Sequence, residues 1–283
     1  MKNAIILFFI SLIIISCRNN LPIQNNAEQL LTKLSPTDSI IQKFAPIING
    51  DWVPTDYIEN LKKTLSPYKS HIKNREEEGV YIKSTNISGD SLLIILSYGP
   101  GGPEGFITYF KKGNAPNSII MTDVSGIDTS TINLGYKITK QDTILVLYRY
   151  NRAGTKIVFQ REYNRALIKL KGGDTTNIDG LDYFQNKLLI AGKYIMIDSS
   201  GREYNIEFDN QGKVSGFKNF KYYHIENDFG QGPGTDTDLI NLNTSPYIFH
   251  VNKDTLTLFD YYFNDSLGIY NNVTVAYKFI RQK

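Results

Sequence analysis

The polar residues that come closest to a chemical constellation are His224, Glu226 and Asp228, which alternate with Tyr223, Ile225 and Asn227 ahead of Phe229. Successive side chains of a strand point to opposite faces, so these three share one face. The following turn, Gly230 to Asp238, adds Asp236 and Asp238. Carboxylates with loop carbonyls are the oxygen ligands of a hard cation. Asp228, Asp236 and Asp238 therefore form a candidate calcium site, although the spacing is not that of an EF-hand. The other reading is a solvated strand face running into a loop. The glycine-rich stretch Tyr98 to Gly105 lacks the Gly-Lys-Ser/Thr ending of a phosphate loop, and Pro100 and Pro103 remove amide donors, so it reads as a hairpin loop. No nucleophile pattern stands out: Gly-X-Ser-X-Gly is absent, and His71 and His250 have no patterned partners. Paired carboxylates for glycoside hydrolysis need not be neighbours in sequence, which keeps a hydrolase as the least supported reading.

The single cysteine has a different explanation. Met1-Lys2-Asn3 is a basic start, and Ala4 to Ile15 is apolar apart from Ser11. A run of about a dozen residues is too short to cross a ~30 Å hydrocarbon core as a helix and has the length of an export-signal core. It ends Ile14-Ile15-Ser16-Cys17, which resembles the bacterial lipobox. That resemblance implies cleavage after Ser16 and acylation of Cys17, so the membrane is an expected partner and residues 1–16 an expected signal peptide. Several acyl chains hold a protein far better than one. The Asn-, Ile-, Tyr- and Lys-rich composition resembles that of Bacteroidota proteins, and Arg18-Asn19-Asn20-Leu21 lacks the acidic cluster of that phylum's surface-export signal. The expected location is therefore the periplasmic face of the outer membrane.

The elements that must carry these residues are strands. Hydrophobic residues make up 41% and charged residues 21% of the 283, which excludes disorder as the default. The 19 Tyr, 15 Phe and 22 Gly favour strands with frequent turns. Net charge is +3 with no basic block interleaved with aromatics, so nucleic acid is not an expected partner. Residues 17–48 read as a tether with weak helical patterns at Ala27–Leu34 and Asp38–Phe44, punctuated by Pro36 and Pro46 and packing lightly on a first β module, which is expected over 49–168. In that module Thr55 is the N-cap of a helical insertion between Pro54 and Arg75. Strand patterns come next at Val80–Lys83, Ser91–Ser97, Phe106–Phe110, Ile132–Ile138, Thr143–Tyr148 and Lys156–Tyr163. A linker over 169–191 leads to a second module over 192–283, with hairpin turns at Ser199–Gly201 and Asp209–Gly212. Gly50-Asp51-Trp52 is echoed by Gly192-Lys193-Tyr194, and Tyr136–Leu147 by Tyr247–Leu258, which suggests a duplication.

A Gly-X-Trp in the first strand with an arginine at the end of the module resembles the lipocalin and calycin barrels. In that family the tryptophan closes the barrel base and the arginine lies across its ring. The resemblance implies structural pairs Trp52 with Arg161 and Tyr194 with Arg281, in two lipocalin-like antiparallel barrels or sandwiches with short helical insertions. The pattern also resembles Bacteroidota lipoproteins with tandem lipocalin-like modules. The functional expectations are a non-enzymatic envelope lipoprotein carrying a small apolar ligand in a barrel or, alternatively, a glycan-binding or scaffolding lipoprotein. No cofactor is expected beyond the candidate calcium. Asp-Ser/Thr-aliphatic triplets such as Asp90-Ser91-Leu92 also resemble a periplasmic O-glycosylation sequon, although an Asp-Ser/Thr turn before a strand gives the same letters.

Overall fold

A computed structural model describes residues 35–73, 79–98, 102–123, 131–140, 142–168, 179–217, 220–227, 229, 237–264 and 269–282. The chain is mainly β. Helix α1 (Pro36–Ile48) leads into strands β1 (Gly50–Pro54), β2 (Gly79–Ser88), β3 (Ser91–Tyr98), β4 (Gly102–Lys112), β5 (Ser118–Asp123), β6 (Ile132–Ile138), β7 (Thr143–Tyr150) and β8 (Ile157–Ala166). Each strand pairs with the next, and β1 pairs antiparallel with β8 to close the barrel. Closure leaves no sheet edge exposed to foreign strands. Helices α2 (Thr55–Thr64) and α3 (Pro67–Lys73) are inserted between β1 and β2.

The second half repeats this plan. Helix α4 (Gly180–Gln185) continues through one π-helical turn, Asn186–Ile190, into β9 (Gly192–Ile197). Strands β10 (Glu203–Phe208), β11 (Val214–Ser215), β12 (Tyr223–Ile225), β13 (Leu239–Leu242), β14 (Ser245–Asn252), β15 (Thr255–Asn264) and β16 (Ile269–Arg281) come after it, and β16 pairs with β9. The sheet is continuous except between β11 and β12, which are joined by one bridge, Lys213 to Tyr222. Two backbone hydrogen bonds flank it, Val214 N to Lys221 O at 2.8 Å and Tyr223 N to Gly212 O at 2.7 Å. The echoed segments Tyr136–Leu147 and Tyr247–Leu258 fall on corresponding hairpins, β6–β7 and β14–β15.

Alternation builds both interiors. Val80 and Ile82 of β2 and Leu92, Ile94 and Leu96 of β3 are buried in the first core with Trp52, Phe110, Leu134 and Tyr163. In the second, Tyr194, Phe208, Phe217 and Phe279 meet edge-to-face with centroids 5.4–6.2 Å apart, the arrangement that ring quadrupoles favour. The turn after β9 is pinned by Asp198, whose Oδ1 accepts from Ser200 N at 2.9 Å and Arg202 N at 3.1 Å. The next is pinned by Asp209, which accepts from Gln211 N and Lys213 N at 2.8 Å each.

Three expectations need correction. The segment before the first barrel does not pack lightly: Phe44, Ala45 and Ile48 of α1 are buried in the first core, and the Phe44 ring meets Tyr136 at 5.2 Å. Pro46 lies inside α1 and does not end it. Its lost amide falls in the last turn, where the apolar face 40, 41, 44, 45, 48 is already committed to the barrel. The stretch Ala27–Leu34 lies outside the described residues. Thr55 is the first residue of α2, not its cap, and its hydroxyl accepts from Asn164 Nδ2 at 2.8 Å. Helix α2 itself packs on the second barrel: its Tyr57, Ile58 and Leu61, with Val53 of β1, belong to the core of that barrel.

Candidate functional site

The Gly-X-aromatic segments sit where each barrel closes. Trp52 is the direct cross-strand neighbour of Arg165, and Tyr194 that of Arg281. The Arg281 guanidinium lies 5.3 Å from the Tyr194 ring centre and donates to its hydroxyl at 2.7 Å. In the first barrel Arg165 lies 4.5 Å from the Trp52 ring. The expected partner Arg161 is instead paired with Asp56 of α2 at 3.3 Å. The strand runs on to Ala166, so the register on β1 brings the later arginine to the ring.

The two clasps match in further detail. Trp52 Nε1 donates to Ile48 O at 2.8 Å, and Tyr194 Oη donates to Ile190 O at 2.7 Å, each four residues back. The arginine of each pair donates to the carbonyl one residue earlier, Arg165 to Ile47 and Arg281 to Leu189. Gly50 and Gly192 have φ of +133° and +158°, a region that side chains disfavour. A Cβ on Gly192 would stand 3.2 Å from Arg281 Nε. Each preceding helix begins with a capping box: Asp38 N to Ser35 Oγ at 3.1 Å, and Asp182 N to Asp179 Oδ1 at 2.8 Å, each returned by the acid.

Of the candidate calcium ligands the structure describes Asp238, together with His224 and Glu226 of the wider polar cluster. His224 is half exposed on β12, with Nδ1 3.7 Å from Asp182 Oδ1. Glu226 is held by Asn241 Nδ2 on the neighbouring strand. Asp238 faces another direction: it accepts from Tyr68 N at 2.8 Å and bonds Ser66, so it caps α3, and burial raises its pKa. Asp228 and Asp236 lie outside the described residues, as does Cys17. Among the described residues no group of three metal-ligating side chains occurs.

What the structure brings together instead is a cleft of about 380 Å³ between the outer face of β1–β3 and the start of α4. Asp51, Tyr81, Lys83, Ser97 and Asp179 give it polar character, and Val53, Ile95 and Leu181 give it an apolar lining. Alternation explains the outward wall: Trp52 points into the barrel, so Asp51 and Val53 point away, and Asp51 pairs in register with Tyr81. Gly180 lets α4 approach, because a Cβ there would stand 3.0 Å from Asp51 Cβ and 3.1 Å from Val53 Cγ2. Among the described residues the Asp51 carboxylate accepts no hydrogen bond. Burial, then the nearby Asp179 charge, push its pKa up to about 6, and Lys83 offsets part of this. The Lys83 ammonium lies 5.0 Å from the Tyr81 ring centre.

Behind the cleft a buried polar seam ties α4 to α2 and to the second barrel. Gln185 Nε2 donates to Tyr57 Oη at 2.7 Å and to Asn227 Oδ1 at 2.6 Å, and Asn227 Nδ2 donates to Asp182 Oδ1 at 3.1 Å. Burial, with Asp179 nearby, raises Asp182 to about 6. Sequence reasoning missed both the cleft and the seam, because their residues come from segments far apart in the chain. The one local signal was Asp179-X-X-Asp182, an acid pair at capping-box spacing just before Tyr183 and Phe184.

Set beside protein-family models, curated proteins and solved structures, the chain matches none of them.

Proposed function

We propose that this is a non-enzymatic, lipid-anchored envelope protein, held through acylated Cys17 at the periplasmic face of the outer membrane. Its barrels act as a scaffold that presents an outer binding cleft. The observation that carries this reading is the contrast between the barrel interiors and the cleft. Large side chains from every strand face inward, and α1 adds Phe44 and Ile48 to the first interior. The cleft over β1–β3 combines an aromatic ring, hydroxyls and charges with an apolar lining. Small barrels filled by their own side chains are stable without a ligand. This favours the glycan-binding or scaffolding expectation over an apolar ligand carried inside a barrel.

Native mass spectrometry of gently extracted protein, paired with an array of glycans and envelope fragments, tests the assignment. The expected result is an acylated chain without an apolar small molecule, and array binding that is lost when Ser97→Trp fills the cleft. A recurrent apolar adduct would restore the barrel-ligand reading. The anchor has its own test: Cys17→Ala is expected to move the protein from the membrane fraction to the soluble fraction. Unchanged fractionation would remove the lipid anchor.

A further inference from the structure

The cleft carries an inference about the chemistry of its ligand, which rests on the binding reading above. Asp51 is set on a barrel strand fixed by the Trp52–Arg165 clasp, and α4 closes tightly over it, so that a Cβ on Gly180 would stand 3.0 Å from Asp51 Cβ. A half-buried carboxylate normally recruits a donor, yet Asp51 has none among the described residues. Lys83 lines the same cleft without forming an ion pair with it and rests against Tyr81. Asp179, on the facing element, already spends Oδ1 on the Asp182 amide, and its charge adds to that of Asp51. The rest of the lining includes the Ser97 hydroxyl and an apolar surface of Val53, Ile95 and Leu181.

We propose that the cleft binds a ligand presenting a protonated amine on a short apolar stem, with Asp51 as the amine's charge partner and Asp179 reinforcing it. An ammonium supplies the missing donors and cancels the repulsion between the two carboxylates. The stem covers the apolar lining, and Lys83 is the internal cation the ligand must compete with. The same chemistry has two sources, a free alkylamine or the lysine-type side chain of an envelope peptide.

Calorimetric titration of the detergent-solubilised full chain distinguishes them, with pentylamine, its neutral analogue 1-pentanol, and acetyl-Ala-Lys-Ala-amide as probes. The expected result is saturable binding of an amine probe at pH 7.5, at least tenfold tighter than 1-pentanol. Asp51→Asn is expected to weaken it at least tenfold, Lys83→Gln to tighten it, and Asp90→Asn, in the exposed β2–β3 turn, to leave it unchanged. Binding is expected to weaken at pH 5, as Asp51 takes up a proton in the company of Asp179, Lys83 and Tyr81. Tighter peptide binding assigns the ligand to an envelope peptide, and tighter pentylamine binding to a free amine. Equal affinity for 1-pentanol and pentylamine, or amine binding indifferent to Asp51→Asn, overturns the amine assignment. If 1-pentanol also binds and is lost in Ser97→Trp, the cleft stands as a site and only the amine class falls. No heat from any probe overturns the amine class, and the array experiment then decides the cleft by itself.

Discussion

Asp51 sits where a barrel needs nothing charged: beside a second carboxylate, partly out of water, and without a hydrogen bond among the described residues. Its pKa is raised from an ordinary value near 3.8 to about 6. The sign is direct. The folded state holds the proton more tightly than the unfolded chain, so this contribution favours folding below pH ~4 and is lost as pH rises through about 6. Asp51→Asn is therefore expected to raise stability at pH 7.5. Allowing for solvent screening, the gain is on the order of 1 kcal/mol, and it should vanish at pH 3.5. Urea unfolding at the two pH values checks it, and a loss at pH 7.5 would show that the carboxylate is structural. The clasp behaves in the opposite way. Trp52→Ala is expected to cost ~3–5 kcal/mol as a buried aromatic truncation. Arg165→Ala should cost about 1–3 kcal/mol through its ring contact and its bond to the Ile47 carbonyl. Asp56→Asn, which removes only the largely exposed partner of Arg161, should cost less than about 1 kcal/mol. The aromatic members were legible because Gly-X-aromatic is a local pattern. Arg165 was not, because barrel closure fixes which arginine meets the ring, and closure is a long-range event.

The helices that precede each barrel explain much of what the strands alone leave open. Both begin at a capping box, and both deliver carbonyls to a clasp. In α4 the first residue must be small. Gly180→Ala places a methyl group against the side chains of Asp51, Val53 and Ala166, and it is expected to cost about 1–3 kcal/mol as overpacking. Thermal unfolding measures this, and a neutral result would show that α4 can shift away from β1. Strands β5 and β13 escaped the sequence reading for a common reason. Each is a short apolar run, Ile119-Ile120-Met121 or Leu239-Ile240-Asn241-Leu242, next to turn-rich sequence and too brief to display alternation. The hairpins at Ser199 and Asp209 were legible because clusters of aspartate, asparagine, serine and glycine specify their turns locally.

Across the molecule, the two barrels are joined by more than a linker. Helix α2 leaves the first barrel and buries Tyr57, Ile58 and Leu61 in the core of the second, while Asp238 of the second caps α3. Unfolding either barrel strips apolar cover from the other, so both are expected to unfold in one transition. Trp52, the only tryptophan, reports on the first barrel alone. Its fluorescence and the far-ultraviolet circular dichroism should therefore give coincident urea curves, and separated midpoints would show independent barrels. The repeated plan was legible in the paired triplets and hairpins, but the seam was not, since no periodicity records which outer faces are covered. The clasps carry a last consequence. By bonding the first strand to the last, each one brings the entrance and exit of its barrel to the same pole. A unit whose ends meet can be copied within a gene and inserted beside itself without stretching either copy. The present chain has the form such an event leaves behind: one copy keeps its indole, and the other does the same work with a phenol.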